Sequence, residues 1–358
     1  MYIGIIGLPF AGKTTVFQTL TGADGHGMRA AGKVSSRIVP VPDDRLQALG
    51  ALYHSRKVTP ATIEFADPGL PGQQETRVYV EQLLPLMRDA DALAHVLRAF
   101  DDPAVPHPYG PLDPVRDFTR LHGELLFADL MVVEKRLERL SKDLKKMHSA
   151  ELEAEYALLQ RCRDTLEAEQ PLRSLALSVD ERKRLRGFGL LTSKAQLVVL
   201  NLDETHMEAE GAWVEALTTQ MPETATEVMP LYGKIEGEIA QLEAEEATAF
   251  LAELGLQQSS FARFVQQSYA LLGLCSFFTA GEKETRAWTI PCRASALHAA
   301  GVIHSDLARG FIRAEVIRYN DLLDSGSLAK ARELGKLRLE GKEYPVQDGD
   351  VLLIRFNV

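Results

Sequence analysis

The sequence has few of the residues that stabilise secreted or metal-binding proteins. Its 358 residues include three cysteines, Cys162, Cys275 and Cys292, which are too scattered for a zinc site. We expect buried free thiols rather than disulfides. The chain also lacks an apolar run long enough to cross a membrane, and its first strand starts at the N-terminus, which leaves no room for a signal peptide. The sequence therefore predicts a cytoplasmic protein with no membrane partner.

Positive charge and tryptophan are also scarce. The chain has two tryptophans, and its 50 acidic residues exceed its 40 lysines and arginines, so the formal net charge is −10. Such a chain lacks nonspecific affinity for nucleic acid, and we expect no sequence-specific DNA partner. A local basic patch could still contact RNA. The densest such cluster is Arg182, Lys183, Arg184 and Arg186.

The N-terminal segment carries a phosphate-binding pattern. Residues 7–14 match the P-loop at every fixed position, between an apolar strand over 2–6 and a following helix. Backbone N–H groups of such a loop, and the N-terminus of the helix, attract phosphate groups. We expect Lys13 to reach the β- and γ-phosphates and Thr14 to bind Mg²⁺. The predicted nucleotide contacts are Pro9, Phe10, Ala11, Gly12, Lys13, Thr14 and Thr15.

An acidic turn follows a predicted strand that ends at Asp67. This aspartate is placed to hold Mg²⁺ through a water, and Gly69 to donate its N–H to a γ-phosphate. The alternative is an ordinary Asp-Pro-Gly β-turn with no metal role.

The nature of the base is predicted from residues 201–204, which follow an apolar strand at the edge where α/β sheets bind ligands. GTP-specific proteins of this architecture have Asn-Lys-X-Asp here. Leu202 replaces the lysine and Glu204 the aspartate, and the longer carboxylate is misplaced for guanine. We therefore predict base contacts from Asn201, Leu202 and Glu204 and a preference for ATP. The alternative is a capped helix N-terminus.

A further candidate base contact is Tyr232, in a loop after a predicted strand over 227–229. We expect it to close over the edge of the base. A plain strand-to-helix turn is the equally weighted alternative.

A charged helical segment separates the two halves of this site. Apolar residues recur there every three or four positions in two sets, which predicts two antiparallel helices in a coiled-coil hairpin. The charged run over 135–146 is either a solvated face or a contact surface for RNA or protein. The first set is Leu130, Val133, Leu137, Leu140, Leu144 and Met147, and the second is Leu152, Tyr156, Leu159, Cys162 and Leu166.

These motifs, with the C-terminal segments 278–291, 301–306, 310–315 and 348–358, resemble the Obg-like ATPases of the YchF type over nearly the whole chain. The resemblance implies an α/β fold: a P-loop GTPase-type domain over 1–122 and 188–274, an inserted hairpin over 123–187, and a C-terminal TGS domain of β-grasp form over 275–358. It also implies slow hydrolysis of ATP and association with the ribosome or its large subunit.

The chain also departs from the family pattern. Phe10 replaces an asparagine that in related enzymes helps hold an activating potassium ion, so we expect no potassium stimulation. The turn after Asp67 is one residue short, the segment 70–74 is reduced, and 25–32 offers no threonine for Mg²⁺. Leu70, in contrast, agrees with the family: it stands at the position of the water-positioning glutamine of Ras-like proteins, and is the catalytic candidate beside Lys13.

Three functions are therefore open: an ATP-dependent switch, which the residues favour, a GTPase proper, and a nonhydrolysing nucleotide-bound scaffold. In the C-terminal segment, Trp288 and His304 beside several arginines suggest either RNA contact or, as we favour, core residues, because one aromatic is not a stacking platform.

Overall fold

The structure, a computed structural model, describes residues 1–22, 34–70, 75–147, 149–221, 226–239, 242–253 and 258–357. It divides into two compact units. The first consists of Met1–Arg37 and Glu64–Phe264, and the second of Ile38–Ile63 and Val265–Val358. Residues 38–63 thus group with the C-terminal part of the chain, and both helices of the hairpin group with the N-terminal part. The domain boundaries given above stay a prediction.

The strands of the described residues are β1 Tyr2–Ile6, β2 Ser35–Pro40, β3 Val58–Thr59, β4 Thr62–Asp67, β5 Ala92–Ala99, β6 Ala195–Leu202, β7 Thr226–Leu231, β8 Leu274–Thr279, β9 Thr285–Pro291, β10 Phe311–Arg318, β11 Arg338–Glu340 and β12 Asp350–Phe356. The α-helices are α1 Lys13–Thr21, α2 Asp44–Leu52, α3 Thr76–Met87, α4 Pro114–Leu144, α5 Ala150–Glu167, α6 Val179–Leu185, α7 Glu210–Gln220, α8 Gly233–Ile239, α9 Ala244–Glu253, α10 Ser260–Leu271, α11 Ala296–Ile303, α12 Ser305–Arg309, α13 Tyr319–Ser325 and α14 Leu328–Glu333.

A sheet with the strand order β2-β4-β1-β5-β6-β7 forms the centre of the first unit. The neighbours from β4 to β7 in this order pair in parallel. Every residue of β5 is buried, as is usual for parallel strands covered on both faces. The parallel arrangement brings the carboxyl ends of β1, β4 and β6 to one edge, where the predicted site residues lie.

The helical hairpin consists of α4 and α5. Helix α4 begins at Pro114, nine residues before the predicted start of the hairpin at 123, because Asp113 caps it by accepting the Arg116 N–H at 3.0 Å. The side chains that bury between the two helices follow the predicted spacing, and include Val133, Leu137, Leu140, Leu159, Cys162 and Leu166. Met147 departs from this pattern, since α4 ends at Leu144 and the Met147 side chain is 61% exposed.

Asp129 fixes the base of the hairpin. Its buried carboxylate accepts hydrogen bonds from Leu191 N at 3.1 Å, from Thr192 N at 2.7 Å and from Thr192 Oγ1 at 2.6 Å. Burial raises the pKa of Asp129 to about 6, although these hydrogen bonds act in the opposite direction. The carboxylate therefore joins α4 to the segment that leads into β6.

A sheet with the order β11-β10-β12-β8-β9-β3 forms the second unit. Most of its pairs are antiparallel, whereas β12–β8 and β3–β9 are parallel. Helix α11 buries its alanines against the sheet core. The segment 38–63 contributes β3 and also Arg45, which pairs with Asp348 at 2.7 Å. The strands of this unit are therefore held in part by an early piece of the chain.

The structure gives Trp288 and His304 local structural roles. Trp288 Nε1 donates to Thr279 Oγ1 at 2.9 Å beneath the guanidinium of Arg286. His304 is exposed and accepts the Asp306 N–H at 3.2 Å, which caps α12, so it is not the core residue that we expected.

The cysteines are free, as predicted. Cys162 and Cys275 are buried, but Cys292 is exposed, which the sequence did not indicate.

Candidate functional site

The P-loop has the backbone geometry that phosphate binding requires. Gly7 and Gly12 have positive φ angles of 153° and 86°, and a β-carbon at either would collide, with Val96 O or with the Asn201 amide respectively. Helix α1 follows Gly12 directly, so its first N–H groups lie at the end of the loop. This arrangement is a ready anion site, because the helix N-terminus is electropositive.

Lys13 is buried within this loop. Its Nζ donates to Leu8 O at 2.8 Å and lies 5.3 Å from the centre of the Tyr79 ring. Burial lowers the pKa of Lys13 to about 8, and the nearby Asp67 carboxylate opposes this shift. A buried ammonium whose close acceptor is one carbonyl oxygen is poised to bind an anion, which interacts with it more strongly than the carbonyl does.

Thr14 and Asp67 meet at the ends of α1 and β4. Thr14 Oγ1 donates to Asp67 Oδ2 at 3.2 Å, and Gly69 N donates to Asp67 Oδ1 at 3.0 Å. Hydroxyl and carboxylate oxygens are the ligands that Mg²⁺ prefers, together with phosphate oxygens and water. In the described ranges no cluster of three or more histidine, cysteine or acidic side chains could hold a metal by itself. The pair therefore fits a magnesium ion shared with a nucleotide.

Leu70 is half-buried and packs against an apolar cluster that contains Leu8. An aliphatic side chain cannot orient a water by hydrogen bonding, so any catalytic role of Leu70 would be steric. The shortened segments over 25–32 and 71–74 lie outside the described residues.

Asn201 links the P-loop to the start of α8. Its Nδ2 donates to Ala11 O at 3.2 Å, and its Oδ1 accepts the Gly233 N–H at 3.3 Å. The side chain is buried, so it fixes the distance between these two parts of the predicted site. Phe100 also lies close to the P-loop, because its ring edge would be 3.4 Å from a β-carbon at Gly12.

The remaining base candidates do not lie together at an open surface. Leu202 and Tyr232 share one apolar cluster and are 2% and 5% exposed, whereas Glu204 is exposed. The Tyr232 hydroxyl donates to Glu210. Burial raises the pKa of Tyr232, and this hydrogen bond raises it further. The contacts of these three residues with a base stay a prediction.

The capping alternative for this tetrapeptide is realised by Asp203. Its carboxylate accepts the His206 N–H at 3.1 Å at the start of a 3-10 helix, and also the Asp101 N–H at 2.9 Å. Burial alone would raise the pKa of Asp203, but the hydrogen bonds from His206 and Asp101 lower it. Asp203 thus ties the end of β6 to the loop after β5.

Two further residues near the loop were not predicted from the sequence. Arg98 is buried at the end of β5, where it donates to Phe100 O at 3.0 Å and to Val105 O at 2.8 Å. An arginine in a strand whose other residues are apolar except for His95 was the available signal. Tyr79 lies under Lys13, but a tyrosine on the apolar face of a helix gives no such signal.

Known proteins with similar sequences belong to the family that the motifs resemble. The model of the YchF GTPase C-terminal domain, described as a protein of unknown function, matches residues 274–357. The chain is 42% identical to the "Ribosome-binding ATPase YchF" of Bacillus subtilis and 37% identical to that of Escherichia coli O157:H7, over 99% of each chain.

A solved structure extends the comparison to three dimensions. The YchF GTPase of Schizosaccharomyces pombe matches with a TM-score of 0.82 and 28% identity, over 99% of this chain and 97% of that one. The match confirms the predicted fold class. Among the described residues no helix is both long and apolar enough to cross a membrane. The chain belongs to the YchF family of P-loop nucleoside triphosphatases.

Proposed function

We propose that the protein binds ATP with Mg²⁺ and hydrolyses it slowly, as a nucleotide-dependent switch that associates with the ribosome. The observation that carries this proposal is the convergence of Lys13, Thr14 and Asp67 at one edge of the sheet. Because its relatives are named for ribosome binding, we also place the protein in the cytoplasm.

Each residue has a defined part in this proposal. The backbone of residues 9–15 binds the phosphates, Lys13 binds the β- and γ-phosphates, and Thr14 and Asp67 hold Mg²⁺. When bound, the ion neutralises charge on the phosphate oxygens. Gly69 donates its N–H to the γ-phosphate, which requires it to leave Asp67 Oδ1. This exchange connects nucleotide binding to the segment before α3, as in a nucleotide switch.

Choice of base is assigned to the region of Glu204, Leu202 and Tyr232. Leu202 is buried among apolar side chains, so lysine there would place an ammonium in the core. The sharper test is therefore Glu204→Asp, which shortens an exposed carboxylate to the GTP-specific length. Competition of ATP and GTP for the wild type should favour ATP, and the variant should move toward GTP. A wild type that prefers GTP would establish the alternative of a GTP-specific enzyme.

Hydrolysis is measured in parallel as released phosphate. Slow turnover that stops in Asp67→Asn would support the proposed enzyme. Tight ATP binding with no phosphate release, with or without ribosomes, would instead favour the nonhydrolysing scaffold, which the shortened switch segments motivate.

Ribosome association is assigned in part to the basic cluster on and after α6. Arg182, Lys183, Arg184 and Arg186 are all exposed. Cosedimentation with ribosomes should be stronger with an ATP analogue than without nucleotide and should weaken as salt rises. Replacement of these four residues by alanine should reduce it, while Arg309→Ala, an exposed arginine of the second unit, serves as the control. Equal pelleting of all variants would contradict this assignment.

A further inference from the structure

Tyr79 combines deep burial with an unused hydrogen-bonding group. It lies in the first turn of α3 and is 1% exposed, and its ring packs in a cluster with Ile6 and Leu8. Within the described part of the chain its hydroxyl has no hydrogen-bond partner. Phenylalanine would fill the same space without burying an unpaired polar group. The hydroxyl therefore costs folding free energy, and such a group in a native protein needs an explanation.

The position of Tyr79 supplies one. Lys13 Nζ, the cation of the P-loop, lies 5.3 Å from the centre of the Tyr79 ring. The charge of Asp67 also acts on the tyrosine. Lys13 and Asp67 mark the end of the site where the terminal phosphate of a triphosphate is held. Tyr79, which carries the unpaired hydroxyl, thus packs against the cation of that phosphate site.

We propose that Tyr79 is a further nucleotide-binding residue, whose hydroxyl donates a hydrogen bond to the terminal phosphate of a bound nucleoside triphosphate. The inference rests on the proposed function, since it requires that the site binds a triphosphate. Its partner is the γ-phosphate, so a diphosphate does not receive this bond.

The protonation of Tyr79 is suited to this role. Burial raises the pKa of Tyr79, and the negative charge of Asp67 raises it further. The phenol therefore keeps its proton at neutral pH and acts as a donor, which is what an anionic phosphate oxygen requires.

A competing explanation is that only the ring matters, as a surface against which the Lys13 ammonium rests. Tyr79→Phe separates the two explanations, because it keeps the ring and removes the hydroxyl. Tyr53→Phe is the matched control. Tyr53 also has a buried hydroxyl without a hydrogen-bond partner among the described residues, but it belongs to the second unit.

The experiment titrates each full-length protein by calorimetry with AMP-PNP and with ADP, in the presence of Mg²⁺, and records the thermal unfolding midpoint without nucleotide. For Tyr79→Phe we expect AMP-PNP binding weaker by about tenfold or more, since the lost bond is to a charged group. ADP binding should change by less than about twofold. The midpoint should be unchanged or higher, a result that a purely structural hydroxyl would not give. Tyr53→Phe should bind both nucleotides as the wild type does.

Three results would overturn the inference. Unchanged AMP-PNP affinity in Tyr79→Phe would show that only the ring matters. A lower midpoint, with equal losses for AMP-PNP and ADP, would show that the hydroxyl supports the fold. A wild type that binds neither nucleotide would instead overturn the proposed function itself, and the inference with it.

Discussion

Lys13 and Asp129 are both buried ionisable residues of the first unit, but the protein surrounds them differently. Burial shifts both toward the neutral form, since the pKa of Lys13 falls to about 8 and that of Asp129 rises to about 6. Asp129 accepts three hydrogen bonds from the chain, whereas the Lys13 ammonium has Leu8 O and the face of Tyr79.

The difference separates a structural charge from a functional one. At the base of the hairpin the chain supplies the partners of the carboxylate, so the group stabilises a junction. In the P-loop the ammonium has three donors but one close oxygen acceptor in the described part of the chain, Leu8 O, and the hydroxyl of Tyr79 below it has none there. Incomplete pairing, more than burial itself, points to a ligand.

The strongest test of this contrast is Lys13→Ala. It removes the side-chain cation of the phosphate site, so triphosphate affinity should fall by on the order of a hundredfold or more. The nucleotide-free protein should be about as stable as the wild type, because a poorly paired buried charge contributes little to folding. Calorimetric titration and urea unfolding measure the two effects. Unchanged ATP affinity would refute the P-loop assignment.

Asp129→Ala should show the opposite pattern. The substitution leaves Leu191 N, Thr192 N and the Thr192 hydroxyl without their acceptor, so stability should fall by roughly 3 kcal/mol. Nucleotide affinity measured well below the unfolding transition should change little. Glu138→Ala, at an exposed position of the same helix, is the control. If both variants unfold at the same urea concentration, Asp129 is not the structural anchor that its hydrogen bonds indicate.

The sequence predicts the phosphate site around Lys13, but it does not predict the structural role of Asp129. The P-loop has a fixed spacing, and its flanking strand and helix follow from apolar pattern, so the sequence makes Lys13, Thr14 and Asp67 candidates. The structure places Thr14 and Asp67 in hydrogen-bond contact. The hairpin seam followed from helical periodicity for the same reason. Both features depend on residues that are close in sequence, so a sequence pattern predicts them.

The features that the sequence did not reveal depend on contacts between distant residues. Asp129 meets Thr192 across 63 positions, and Asn201 meets Ala11 across 190. Tyr79 is an ordinary helix residue until the fold places it below Lys13. The burial of Leu202 in an apolar cluster is likewise set by the fold, and the tetrapeptide alone does not indicate it. Tertiary position, which a motif does not encode, decides these roles.

The protonation of Lys13 should make ATP affinity depend on pH, an effect smaller than those of the two substitutions above. Below pH 8 the ammonium of the free protein is already formed, whereas above pH 8 binding must first restore its proton. ATP affinity should therefore be about tenfold lower at pH 9 than at pH 7, with uptake of a proton. Titrations in two buffers of different ionisation enthalpy count that proton. Affinity independent of pH would mean that Lys13 does not bind the phosphates as an ammonium.

Folding has the reverse dependence on pH. The unfolded chain keeps the Lys13 proton up to its ordinary pKa of 10.5, while the folded protein releases it near 8. Within this window the unfolded state binds more protons, so the contribution of Lys13 to stability should rise with pH. The ATP affinity and the contribution of Lys13 to stability should therefore change with pH in opposite directions.

The smallest expected effect concerns Phe10, which has a φ of 63° and a side chain that is 40% exposed. A phenylalanine is strained in this left-handed region, which asparagine tolerates better. Phe10→Asn should therefore stabilise the protein by about 0.5–1 kcal/mol, whereas Phe10→Ala, the control, should not. Urea unfolding of the three proteins measures this difference.

The same substitution tests the potassium prediction. Phe10 has no amide oxygen to coordinate an ion, so hydrolysis by the wild type should be equal in potassium and sodium, and Phe10→Asn should raise the rate in potassium alone. A wild type that is tenfold faster in potassium, a change of about 1.4 kcal/mol in the barrier, would show that the ion is held without this side chain. The P-loop would then use more backbone ligands than its sequence suggests.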